Sequence, residues 1–419
     1  MKRFTKLMIA VAIVAMAIPA FSAVENIKVG GDVDIYGVKR MYFKPADGDS
    51  QDFFQTTARV YVQAELTDNV EAMVRLINER NWGPKAAVGP DKSLTVYLDL
   101  AYIKVCDLGI DGLNLTVGRQ EIQFGEGLVV GSRYLPNGGW DGNGYPGDIV
   151  AQDLGKMKAF DAIRLDYKGT APVAVTGFMA KICDDISTSD DDHLYGVNVG
   201  FDMGPASLEG YYVRLQKMGD VAKNITTAGI RATGEAAGFG LKGEYAKQFG
   251  EWGLNDNEGW ALLLGAKYAF SGSGMDANIR ANLNLYAADD SGDNGWISYF
   301  PSNVEQRVGA INYLLATAMS PEGLRNAQVI NVGGGIRPVE KIGLSLDWYN
   351  VNLMEETDWS AGEKGIGNEI DAAVVYDYTE DLQFGLQYGI LLLGDALKDG
   401  SANLDENPWQ LIATAKLAF

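Results

Sequence analysis

His193 is the one histidine among 419 residues, and it follows directly on Asp190, Asp191 and Asp192. Hydrolysis on a Ser-His-Asp plan needs that imidazole beside a nucleophilic serine, and nothing in the sequence aims a serine at it. A loop histidine in a solvated acidic segment is the plainer reading. Asp184, Asp185 and Asp190 to Asp192 could offer hard oxygen ligands to calcium, but they lack the ordered spacing of a calcium loop, which favours solvated surface charge. Gly125-Glu126-Gly127 begins like a dinucleotide fingerprint, yet Val130 stands where the third glycine belongs. The two cysteines, Cys106 and Cys183, are too few for a disulfide scaffold, and they fall at opposite ends of the strands read below. No catalysis and no cofactor are expected.

The informative charges are basic. Arg40, Arg59, Arg75, Arg164, Arg231 and Arg280, with Lys242, Lys267 and Lys416, sit at polar positions of alternating stretches, interspersed with Asp32, Asp34, Glu65, Glu71, Asp99, Asp166, Glu244, Asp347, Glu369 and Asp371. If the alternate apolar positions face lipid, all of these point into a common interior. Arginine and lysine rings select anions at a constriction. Alternatively the same bases pair with neighbouring carboxylates and stiffen the wall.

The elements that must hold them have a period of two. In 52–66 the even positions Phe54, Ala58, Val60, Val62, Ala64 and Leu66 are apolar, while Gln55, Arg59, Gln63 and Glu65 are polar. Such stretches predict strands near 27–42, 52–66, 70–80, 94–105, 113–120, 158–168, 171–182, 193–203 and 206–216. A second set falls near 224–235, 238–249, 259–270, 276–287, 326–336, 339–353, 366–378, 382–393 and 408–419, for a total of eighteen. Connections alternate between short turns such as 67–69 and long loops such as 121–157, 184–192, 288–325 and 354–365. A secreted sandwich or propeller has no reason for that alternation. A transmembrane antiparallel up-and-down β-barrel in the outer membrane does, and closure leaves no unpaired backbone edge in lipid. Tyr42, Trp260, Tyr268, Phe270, Tyr286, Trp348, Tyr378 and Trp409 lie near strand ends, as an aromatic girdle would.

Residues 1–23 read as a signal peptide, with Lys2, Arg3 and Lys6 before the apolar run Leu7 to Ile18 and small residues around a cleavage point after Ser22 or Ala23. Residues 24–419 then form the barrel, reached by secretion through the inner membrane of a Gram-negative-type bacterium. A formal charge of −20 excludes nucleic acid as a partner. The final strand alternates from Trp409 to the terminal Phe419, the ending that outer-membrane barrels show to their assembly machinery.

The run from Gly118 to Gly131, GRQEIQFGEGLVVG, followed by Phe160 to Tyr167, FDAIRLDY, resembles the alginate-export porin family. That resemblance implies an eighteen-stranded barrel and an arginine-rich lumen passing anionic uronate polymer, with Arg119 and Arg164 at the motif arginines. Lys158 and Ala159 stand where the family usually shows an Arg-Ser pair. Arg119 shares its parity with Leu113, Leu115 and Val117, so it enters the lumen only if Gly118 forms a bulge; exposure at the rim is the alternative. The glycine-rich connection 121–157 is expected to fold inward and narrow the pore between Arg119 and Arg164, rather than wave as a surface loop.

These readings converge on a monomeric porin passing small polar or anionic solutes, including uronates or other sugar acids and oligosaccharides, by passive diffusion. Its other partners would be outer-membrane lipids, lipopolysaccharide and the barrel assembly machinery. The competing reading is a surface adhesin or receptor whose acidic loops bind a partner above a barrel anchor.

Overall fold

The computed structural model describes residues 26–43, 50–83, 96–131, 154–170, 172–183, 192–217, 223–252, 255–270, 276–288, 295–300, 309 and 324–419. The proposed signal peptide lies outside them, as does most of the acidic run at 184–191. The alternating stretches form β1 (Asn26–Met41), β2 (Ser50–Thr67), β3 (Val70–Asn81), β4 (Tyr97–Val105), β5 (Leu113–Gln120), β6 (Phe160–Lys168), β7 (Val173–Cys183), β8 (Asp192–Asp202) and β9 (Ala206–Lys217). They continue with β10 (Lys223–Ala236), β11 (Phe239–Trp252), β12 (Asn255–Asn257), β13 (Trp260–Phe270), β14 (Asp276–Tyr286), β15 (Ala327–Val339), β16 (Ile342–Leu353), β17 (Gly365–Asp377), β18 (Leu382–Leu393) and β19 (Trp409–Ala418). Each long strand pairs antiparallel with the next, and β19 closes on β1 from Asp32 opposite Ala418 to Met41 opposite Trp409. The short β12 pairs only with the end of β11, so the closed ring has eighteen staves.

Register fixes a single parity around the ring. Asp34 lies opposite Lys416, Asp32 opposite Arg59, Arg231 opposite Glu244, and Lys267 opposite Arg280, all facing inward. The other parity carries the exposed apolar residues, among them Val60, Leu241, Ile279 and Leu346. A continuous apolar belt of that kind is ruinous in water and is the lipid contact of a membrane barrel. Tyr268, Phe270, Tyr376, Tyr378 and Phe384 cluster at the short-turn rim of that belt. Tyr286 does not join it: it faces inward and is buried, because the even positions of β14 point into the barrel.

The chain end is built into the closure. The Phe419 amide donates to the Gly31 carbonyl at 3.0 Å, and Gly31 donates back to the Phe419 carbonyl at 2.9 Å. A side chain at Gly31 would meet the Arg59 carbonyl oxygen at 2.4 Å and the Phe419 ring at 2.9 Å, so only glycine permits the approach.

Two expectations need correction. His193 is a strand residue of β8 on the outward parity, its ring 5.8 Å from that of Tyr195, because strand pairing begins within the acidic run, at Asp192 opposite Cys183. Gly118 has a φ of +123° and its missing side chain makes room for the Ala101 carbonyl, but the β4–β5–β6 register passes through it without a shift. With no extra residue to reverse the parity, Arg119 stays on the outward face at the loop rim. The cysteines fall as expected at opposite rims, Cys106 after β4 and Cys183 at the end of β7.

This parity makes substitutions of like chemistry unequal. Leu346→Arg, on the lipid face, should destabilise the barrel by about 2–4 kcal/mol, while Gln387→Arg, facing the lumen, should change stability by less than about 1 kcal/mol. Urea unfolding in lipid vesicles measures both, and equal losses would invert the assignment of faces.

Candidate functional site

A barrel of this width has an interior that its wall side chains alone do not fill, and two connections enter it. After β5 the chain runs inward, burying Ile122, Phe124, Leu128, Val129 and Val130. These pack against inward residues of β7 to β10, including Phe178, Leu194, Tyr211, Val213 and Ile225. The connection after β14 brings in Trp296, Ile297, Tyr299 and Phe300. The two segments meet where Gly131 donates to the Phe300 carbonyl at 2.8 Å and the rings of Phe160 and Phe300 cross edge to face at 5.6 Å. Gln248 holds the second segment at both backbone groups of Ile297, accepting at 2.8 Å and donating at 2.7 Å. One sector of the lumen towards the loop rim is thereby a dry core, as the sequence led us to expect of 121–157 in its described part; residues 132–153 lie outside the described set.

The polar groups of these segments are met by the wall. Gly125 donates its amide to Glu209 at 2.8 Å and Glu126 to Glu244 at 2.6 Å, while Lys156 donates its amide to Glu79 at 2.6 Å. The side chains then bridge to wall cations. Glu121 pairs with Arg75 at 2.5 Å and Lys158 at 3.2 Å; Glu126 pairs with Lys242 at 2.6 Å and accepts from the Arg231 Nε at 2.8 Å. On the opposite side Lys156 reaches Asp34 at 2.5 Å and Asp32 at 3.0 Å. Burial alone would raise the Glu121 and Glu126 carboxyls. Arg75 and Lys158 at the first, and Lys242 and Arg231 at the second, outweigh that burial and hold both below the ordinary carboxylate range.

Nine of the ten basic residues singled out in sequence face the interior, Lys416 among them opposite Asp34. Arg59 pairs with Asp32, Arg75 with Asp99 and Glu121, Arg164 with Asp166, Arg231 with Glu126 and Glu209, Lys242 with Glu126, and Arg280 with Asp347. Arg40 is buried near the Phe43 and Phe53 rings and donates to Gln410 at 3.0 Å. Lys267 faces inward and makes no ion pair among the described residues. Arg119 is buried on the outward parity and pairs with Asp161 at 3.0 Å, and Arg164 pairs with Asp166, so the two do not meet across the lumen. The wall ion pairs are therefore real, and the constriction is built by Arg75, Arg231 and Lys242 against Glu121 and Glu126. Sequence reading passed over Glu79, Glu209 and Lys156; the parity of Glu79 and Glu209 was the available signal, but which loop amide each would meet was not written locally.

Towards the turn rim lie two concavities lined by described residues. One, of about 680 Å³, is lined by Ser207, Thr233, Lys242, Lys267, Arg280 and Asn282, with Glu235 as its single acid. The other, of about 970 Å³, mixes Asp32, Asp34, Arg59, Lys156, Asp377 and Lys416. Among the described residues no cluster could hold a metal ion.

Comparison with known proteins agrees with this geometry. The alginate export family matches residues 39–409. Similar crystal structures include Pseudomonas aeruginosa OccK3 (OpdO), with a TM-score of 0.60 and 10% identity over 95% of this chain and 96% of that one. Pseudomonas aeruginosa OccK5 (OpdH) has a TM-score of 0.58 at 10% identity, over 95% of this chain and 99% of that one. Acinetobacter baumannii OccAB1 has a TM-score of 0.58 at 12% identity, over 95% of this chain and 98% of that one. At these identities the likeness is one of fold, the closed barrel of outer-membrane porins. No curated protein matches in sequence.

The depressed carboxyls of Glu121 and Glu126 give the constriction a pH dependence with a definite sign. A folded-state value below the unfolded one stabilises the ionised contact above the ordinary carboxylate range, and that stabilisation is lost as pH falls through the folded value. Protonating Glu121 and Glu126 should therefore change single-channel conductance as pH falls below the ordinary carboxylate range. Conductance that does not respond to acidification through that range would contradict the pairing.

Proposed function

Because this chain belongs to the alginate export family, whose members are channels and not enzymes, we propose that it passes small polar solutes by diffusion and admits sugar acids such as uronates among them. The observation that carries this reading is the cationic concavity under the inturned loop. Lys242, Lys267 and Arg280 converge there, and Ser207, Thr233 and Asn282 supply neutral hydrogen-bonding groups suited to sugar hydroxyls. Lys267, without an ion pair among the described residues, is the cation most available to a carboxylate. The dry core in the lumen favours small solutes and short oligosaccharides over a continuous polymer.

The same reading places the turn rim in the periplasm, residues 1–23 as the secretion signal, and the terminal strand as the element offered to the assembly machinery. The apolar belt then sits among lipid and lipopolysaccharide with the protein as a monomer, and closure within one chain leaves no edge to which a second copy could add a strand.

Swelling of vesicles carrying the purified protein tests the solute class. Galacturonate should enter at a rate comparable with galactose, and Lys267→Glu should slow galacturonate about three-fold or more while sparing galactose. Absence of galacturonate entry in vesicles that admit galactose would leave a porin without the proposed solute.

A further inference from the structure

Arg231 and Lys242 converge on one carboxylate, and that carboxylate belongs to the chain itself. Glu126 is 7% exposed, accepts from Arg231 Nε at 2.8 Å and from Lys242 Nζ at 2.6 Å, and is delivered by a loop that crosses from β5 to the far wall. The Lys242 side chain is nonetheless 41% exposed, on the wall of the cationic concavity. A guanidinium and an ammonium fixed around one carboxylate are what an anionic solute would need in the same place. We infer that Glu126 is an internal substitute for the solute carboxylate, occupying the Arg231–Lys242 site and setting how strongly the pore prefers anions.

The surrounding contacts separate this role from simple loop support. The loop is held at this wall by backbone amides, Gly125 to Glu209 and Glu126 to Glu244, and Tyr211 donates to the same Glu244 at 2.6 Å. None of those bonds uses the Glu126 side chain. Apolar burial of Phe124, Leu128, Val129 and Val130 adds to the anchoring. Neutralising Glu126 therefore leaves these anchors standing and removes the carboxylate from Lys242. Arg231 retains Glu209 at 3.5 Å, so Lys242 is the charge that is released. An arriving carboxylate exchanges with Glu126 at the pair, in a site where charge is weakly screened. This inference takes the cationic concavity as part of an anion path, as proposed above.

The test is the reversal potential of the full chain in planar bilayers under a potassium chloride gradient, for Glu126→Gln alone and combined with Lys242→Gln. Glu126→Gln should raise the chloride-to-potassium permeability ratio at least about three-fold and lower the galacturonate concentration that half-blocks chloride current. Galactose swelling is the control for the position of the loop, and the chloride ratio should change by a larger factor than galactose entry does. Adding Lys242→Gln should remove most of the gain. Glu126→Asp, which keeps the charge but withdraws it by one methylene, should shift the ratio less and in the same direction, and carries the test should Glu126→Gln not assemble. An unchanged ratio, a gain that survives loss of Lys242, or a parallel rise in galactose entry would each overturn the inference. A shifted chloride ratio with no galacturonate effect in either protein would uphold the role of Glu126 and reject the sugar-acid solute.

Discussion

A backbone N–H carried into the middle of a barrel has left water behind and must find another acceptor. In this protein the acceptors are carboxylates on the wall. Glu79, Glu209 and Glu244 receive the amides of Lys156, Gly125 and Glu126, and a buried amide left without such an acceptor would cost about 1–3 kcal/mol. The lumen carries many acids for that reason: some of them hold the inturned segments and are not a path for cations.

Those carboxylates in turn bring cations. Arg231 stands between Glu126 and Glu209, and Arg75 between Asp99 and Glu121, so the constriction is a set of compensated pairs drawn from wall and loop. Each pair fixes a loop carboxylate against a wall cation, which gives the narrow region a definite shape. Little of its positive charge is left uncommitted. The cationic character of the channel falls instead to the wider concavity below, where Lys242 remains partly exposed and Lys267 faces open space.

The outer face obeys a simpler rule. Lipid offers neither donors nor acceptors, so the backbone closes on itself and the side chains are apolar. Closure is completed by the last residue, whose backbone pairs with Gly31 across the seam. Wall and filling thus follow opposite demands, one set by lipid and the other by amides removed from water.

The sequence by itself determined the wall. Alternation with period two gave eighteen spanning strands within a few residues of their ends and the inward parity of Arg59, Arg231 and Arg280, because each depends on the local order of apolar and polar residues, while the length and glycines of 121–157 pointed to its inturned path. Only the tertiary structure decided how the interior is wired. Whether Arg75 meets Asp99, whether Glu126 reaches Lys242 across 116 positions, and whether Gly118 reverses the parity of Arg119 are matters of register and closure. A local pattern says which face a side chain takes; which charge waits for it there is set by strands far away in the chain, brought together when the ring closes.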